Sequence, residues 1–441
     1  MDRRSFLKQT GALGLSIRSL LTGLPPAFLL TGRAMAMEPL RKFSVIAQSG
    51  AGESVNGFGP GSFESAAFIH PSRSDSDYSR TIAGVSYDAD SLSEPMEFLP
   101  GPEPVRVARV FEALGPMQDH ITFFNYRTSL GIHPQMPIAQ KAGGAIKGEI
   151  GRGEEELPSA IAQENAAALG TLLDKPILLD GGATFKGAPL NRYSPTVIKE
   201  LVTSSKAAEV PDAMFGATRN YLVDTIHKRV KSSGTPNQKR FLDDHVISQQ
   251  QASEVAGRLF SEVVDIEDDG YASQMRMAAI IIKLRISPTV VVGYRLSGDN
   301  HVSDGLTVEA EHTLNMMASY RDFYEFATDM GVWDELMYST LSVFGRSMDD
   351  RSNGRGHNGS LCTGLLAGGS LRRRVIGGID PTQPKGVALP LNSDSGGIDR
   401  PNVGIDNLQA CYAKSVMKAV GIPEDRLEVR VRDVPAVSIT G

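Results

Sequence analysis

The chain has 441 residues, of which 45 are basic and 51 acidic, for a formal net charge of −6; 41% of it is apolar and 7% aromatic. An acidic chain of this kind carries no electrostatic footprint for nucleic acid or an anionic membrane, and its apolar content is that of a folded globular protein. Its two cysteines, Cys362 and Cys411, could form one disulfide in an oxidising compartment, but no Cys-x-x-Cys or Cys/His spacing marks a structural zinc site.

The first element in chain order is a leader. Arg3-Arg4-Ser5-Phe6-Leu7-Lys8 sets paired arginines before a mostly apolar stretch, Gly11 to Leu30, and a small-residue site at Ala34-Met35-Ala36. That order predicts a twin-arginine signal peptide over residues 1–36, with cleavage after Ala36, the twin-arginine translocation machinery as a partner and an exported, periplasmic product. Asp2 departs from the pattern, since Ser or Thr is commoner before the pair. Arg18 and Pro25-Pro26 break the apolar stretch, so no stable membrane span is expected. Without the leader, 40 basic and 50 acidic residues remain, net −10.

Residues 37–441 read as a single α/β domain with a largely parallel sheet and helices on both faces. Strands are predicted at Phe43 to Gln48, Ile121 to Tyr126, Pro176 to Leu179, Thr289 to Tyr294 and Leu336 to Phe344, where Val, Ile, Phe and Tyr concentrate as in buried parallel strands. Pro104 to Leu114, Leu157 to Leu173, Pro195 to Val202 and Leu306 to Met330 carry apolar residues at three- and four-residue spacing and are predicted as helices. The charged stretch from Val210 to Ile286, broken at Gly234-Thr235-Pro236, reads as a helical insertion.

Ligands in open α/β sheets gather at the carboxyl ends of strands, so the loops there are where chemistry is to be sought. Gly298-Asp299-Asn300-His301 places a carboxylate and an imidazole two apart, a pair able to bind a divalent metal. Arg346, Arg355 and His357 follow the last predicted strand, and guanidinium groups among glycines suit an oxyanion such as phosphate or sulfate. The first strand ends at Ser49-Gly50-Ala51-Gly52-Glu53-Ser54, a small-residue loop open to close ligand approach, though neither serine has a neighbouring His or Asp to activate it. Asp180 and His133, at two further strand ends, are additional metal-ligand candidates. Each of these loops also satisfies ordinary turn chemistry.

This succession of motifs resembles the bacterial domain-of-unknown-function 1501 family, related in fold to alkaline phosphatases and sulfatases, over nearly all of Met37 to about Gly378. The resemblance implies an alkaline-phosphatase-like fold and metal-dependent hydrolysis. It is incomplete: Gly298-Asp299-Asn300-His301 lacks the family's Trp. Ser342-Val343-Phe344-Gly345-Arg346 has Val343 where the family has Glu, and Gly356-His357-Asn358-Gly359 keeps the imidazole but not the Asp. A hard divalent ion needs several anionic oxygens or imidazoles, so the loss of two carboxylates argues against a two-metal centre. Two functions remain. One is a metal-assisted hydrolase of phosphate or sulfate esters, with Asp299, His301 and His357 as ligands and Arg346 on the ester oxyanion. The other is a periplasmic binding or assembly protein that kept the fold without the metal.

Overall fold

The computed structural model describes residues 40–52, 105–200, 263–294, 306–349 and 355–440, shorter stretches between 55 and 98, and the single positions Ser232, Asp299 and His301. The leader, with Arg3 and Arg4, lies outside them. The chain divides into two units, residues 37–193 with 270–441, and residues 1–36 with 194–269. In the smaller unit residues 195–200 are helical, as expected, and Lys199 donates to the carbonyls of Val264 and Ile266. Most of the expected insertion lies outside the described residues.

The larger unit is a mixed α/β structure built on one seven-stranded sheet. Its strands are β1 (Phe43–Ser49), β2 (Ile121–Tyr126), β3 (Ile177–Leu178), β4 (Thr289–Gly293), β5 (Leu336–Ser342), β6 (Cys362–Ala367) and β7 (Arg374–Ile376). Their spatial order is β7-β2-β6-β5-β1-β4-β3. β1 pairs in parallel with β4 and β5, β4 with β3, and β7 with β2; β6 alone is reversed, antiparallel to both β5 and β2. β1, β2, β5 and β6 are buried along their whole length, as strands covered on both faces are.

Helices cover both faces. Alternate residues of a strand point to opposite faces, so Met337 and Leu341 face one way and Tyr338 the other. The first face packs on α1 (Leu157–Leu169), α4 (Leu408–Ala419) and α5 (Glu424–Arg430) in one core with Ile46, Phe124 and Leu366. On the second face, Tyr338 Oη lies 2.9 Å from Tyr271 Oη of α2 (Tyr271–Lys283) and donates at 2.7 Å to Tyr320 Oη of α3 (Thr307–Asp329).

Two expectations change, and one open question closes. The helix expected over 104–114 is, among its described residues, the strand Val105–Ala108 followed by 3-10 turns over Arg109–His120, kinked at Gly115-Pro116. Val105 and Val107 follow a strand's two-residue period, while Val107, Val110, Phe111 and Leu114 mimic a helical one, and Phe111 packs on Phe123 at 4.8 Å. α2, expected inside the helical insertion, belongs to the sheet unit, where Gln274 accepts from the backbone N–H of Gly293 at 2.7 Å. Cys362 and Cys411 are buried in the same core and are not joined in a disulfide, and burial pushes the Cys411 thiol up to about 11.

Candidate metal centre

Because β1, β2, β4 and β5 run the same way, their carboxyl ends open on one edge of the sheet, and reversed β6 begins there. Each contributes a piece of the site. Gly50 to Gly52 follow β1, Gly131 and His133 follow β2, and Asp299 and His301 follow β4. After β5 comes Phe344, then a short hairpin in which Arg346 pairs with His357 just before β6.

One ligand atom from each of His133, Asp299, His301 and His357 lies within 4.8 Å of all the others. His301 Nε2 is 2.8 Å from His357 Nε2 and 3.2 Å from Asp299 Oδ1, and His133 Nε2 is 3.5 Å from Asp299 Oδ2. At their far sides, His133 Nδ1 lies 2.7 Å from the carbonyl of Gly50, and His357 Nδ1 lies 2.6 Å from that of Gly131. A carbonyl only accepts, so both Nδ1 atoms carry the hydrogen, and a neutral ring then turns a bare Nε2 lone pair into the cluster.

The charges agree with that assignment. Burial lowers the pKa of His357, and the neighbouring Arg346, His301 and His133 push the same way, against the Gly131 bond, so the ring is neutral at pH 7. Burial alone would raise Asp299, but the hydrogen bond and charge of Arg346, joined by His301 and His133, hold its carboxyl below the usual carboxylate value. The site thus offers an anionic oxygen among imidazole nitrogens. That donor set suits zinc and other first-row transition ions better than magnesium or calcium, which take oxygen ligands.

Of the residues singled out in the sequence, Asp299, His301 and His357 come together, and His133 joins them. Arg346 reaches the cluster in another role. Its side chain has no exposed surface, and its guanidinium is spent on Asp299 Oδ1 at 2.6 Å and on the carbonyls of Ala51 and Arg355. It clamps the carboxylate rather than standing open to an ester oxyanion. Ser49 is buried and donates to the carbonyl of Gly52 at 3.1 Å, so its hydroxyl closes a turn and is not aimed at a ligand. Arg355 is sealed against Glu309 and the carbonyls of Ser347 and Ile69. Asp180 pairs with Arg192 at 2.8 Å and caps Gly181, outside the cluster.

The two positions where carboxylates are missing are built into the frame. Val343 packs with Leu130, Ala139 and Phe344, and Gly356, directly before His357, donates its backbone N–H to Ser347 Oγ at 3.0 Å. The four clustered residues therefore provide for a single ion. What sequence reading did not find is the frame around them: the carbonyls of Gly50 and Gly131 and the ring of Phe344, for which a linear motif gives no signal.

No family model and no curated protein matches the chain. Among solved structures, a similarity is found to the PH0037 protein from Pyrococcus horikoshii, 11% identical over 76% of this chain and 89% of that one, with a TM-score of 0.20. A likeness that weak carries neither fold nor function, so the resemblance to the domain-of-unknown-function 1501 family rests on its motifs alone.

Proposed function

We propose that this protein is an exported metal-dependent hydrolase of phosphate or sulfate esters, with an alkaline-phosphatase-like fold and a one-metal centre formed by His133, Asp299, His301 and His357. The observation that supports it is the convergence of these side chains at the strand ends, with two imidazoles pinned through Nδ1 so that Nε2 is free to ligate. When bound, a divalent ion supplies Lewis acidity there, activating water and polarising the ester oxygens. The protein's own residues do the rest. Arg346 orients Asp299 and keeps it ionised, the Gly50 and Gly131 carbonyls fix the imidazole tautomers, and the half-exposed faces of Asp299 and His301 leave the centre reachable from solvent. The leader motif supports twin-arginine export to the periplasm.

A non-catalytic periplasmic binding or assembly protein is the second reading. One observation favours it: Asp299 already has Arg346 as a counter-charge, and the buried hydroxyl of Ser49 supplies no nucleophile. Metal content separates the two. Mass spectrometry of protein purified without chelators should find one divalent transition ion per chain, lost in an Asp299→Ala, His301→Ala double variant together with ester hydrolysis. Metal-free wild type would leave the hydrolase without its reagent. Arg3→Lys with Arg4→Lys should retain the protein in the cytoplasm on cell fractionation if the leader works as read.

A further inference from the structure

We infer that Phe344 is a positioning residue for this centre, its ring setting the angles at which His133 and His357 present Nε2; the inference rests on the metal reading above. Phe344 is wholly buried at the end of β5. Its ring stacks on His357 at 4.0 Å and 26°, meets His133 edge-on at 5.1 Å and 64°, and lies under the Arg346 guanidinium at 5.4 Å. Both imidazoles and the clamp on Asp299 therefore pack against one aromatic ring.

Each of these imidazoles has its carbonyl partner at Nδ1, and a ring pinned by one hydrogen bond can still swing about it. A rigid apolar plane against the ring removes that freedom, and ligand orientation is what sets metal affinity once the ligand types are fixed. Phe344 is itself held from two sides. Leu130, Ala139 and Val343 pack against it. On the other side Gly52, at φ +93°, brings bare backbone so close that a Cβ there would collide with the Phe344 ring and approach Arg346 Nε to 3.0 Å. Glycine at this position answers both the backbone conformation and the space the ring occupies.

The test is zinc affinity, by competition with a chelator, together with the visible spectrum of the cobalt(II)-loaded protein. Phe344→Leu should bind zinc about 10–100-fold more weakly, the range found when the support of a ligand is removed, with an altered cobalt band. Phe344→Tyr, which keeps the ring, should restore affinity to within about threefold of wild type, well below that range. Val343→Ala perturbs the same apolar cluster without touching an imidazole, so it should lower the unfolding temperature but not zinc affinity. Should Phe344→Leu fail to fold, Phe344→Met, an apolar side chain of similar reach without the rigid plane, gives the same reading. Wild type that binds zinc alongside a Phe344→Leu chain that binds it equally tightly overturns the positioning role alone, as does a Val343→Ala chain weakened as much as Phe344→Leu. Wild type that binds no zinc overturns the metal reading itself.

Discussion

Two arginine–carboxylate pairs stand on the same stretch of chain and serve opposite ends. Arg355 and Glu309 meet at 2.9 Å with neither side chain exposed, and the remaining guanidinium hydrogens go to the Ser347 and Ile69 carbonyls. Arg346 and Asp299 meet at 2.6 Å with the arginine equally buried, but Asp299 is 52% exposed and has imidazoles around its oxygens. The sealed pair holds together the segments that lead into the site. The half-open pair keeps one carboxylate charged and aimed at a place where something else can bind.

The largest effect should come from breaking the sealed pair. Glu309→Ala leaves a buried guanidinium without its counter-charge and is expected to cost about 3–5 kcal/mol in a urea denaturation experiment. Asp299→Asn keeps an oxygen for Arg346 but removes the charge. It should weaken metal binding by more than about 100-fold, beyond what loss of a supporting contact causes, while costing less stability than Glu309→Ala, because Asp299 is half exposed and the amide oxygen still accepts from Arg346. Comparable stability losses in the two variants would erase the distinction between the pairs.

A third pairing, Glu164 with Arg426 and Arg430, sharpens the comparison through pH. Burial alone would raise the Glu164 carboxyl, but hydrogen bonds from both arginines and their charges bring it below its ordinary value. A depressed carboxylate contributes stability that is complete above the unfolded pKa and lost as pH falls through the folded one. Glu164→Gln should therefore be less stable than wild type by roughly 1.5–3 kcal/mol near neutrality. The difference should close as the solution is acidified past the ordinary glutamate range; a gap that persists unchanged in strong acid would remove the ionic account. The smallest effect is expected at Asp180→Asn, whose partner Arg192 is 61% exposed. A change within about 1 kcal/mol, with metal content untouched, would mark it as a surface pair at a strand end without imidazoles.

The parallel half of the sheet was legible in the sequence because strands buried on both faces spell themselves out in Val, Ile, Phe and Tyr. Thr289–Gly293 and Phe43–Ser49 are examples. The reversed strand Cys362–Ala367 was not, being poor in branched residues and carrying Gly364, whose missing side chain makes room for Tyr412. Leu408–Ala419 escaped for the opposite reason: nearly every residue of it is buried, so it lacks the polar face that would reveal a helical period. In the site, Asp299, His301 and His357 could be picked out as chemistry-bearing residues after strands. The duties of Arg346 and Ser49 could not: Arg346 is engaged by the carbonyl of Ala51, far away in sequence, and Ser49 by that of Gly52, in a turn whose closing bond residue types alone do not reveal.

That distance has a kinetic consequence. The Arg346–His357 pairing closes within one hairpin, but the bond from His357 to Gly131 spans 226 residues and that from Arg346 to Ala51 spans 295. Contacts of such separation form only after the entropy of closing long loops has been overcome, so ligand affinity should arise late in refolding, together with completion of the sheet. Binding a metal would then act as a reporter of the finished fold and draw the folding equilibrium toward it by mass action.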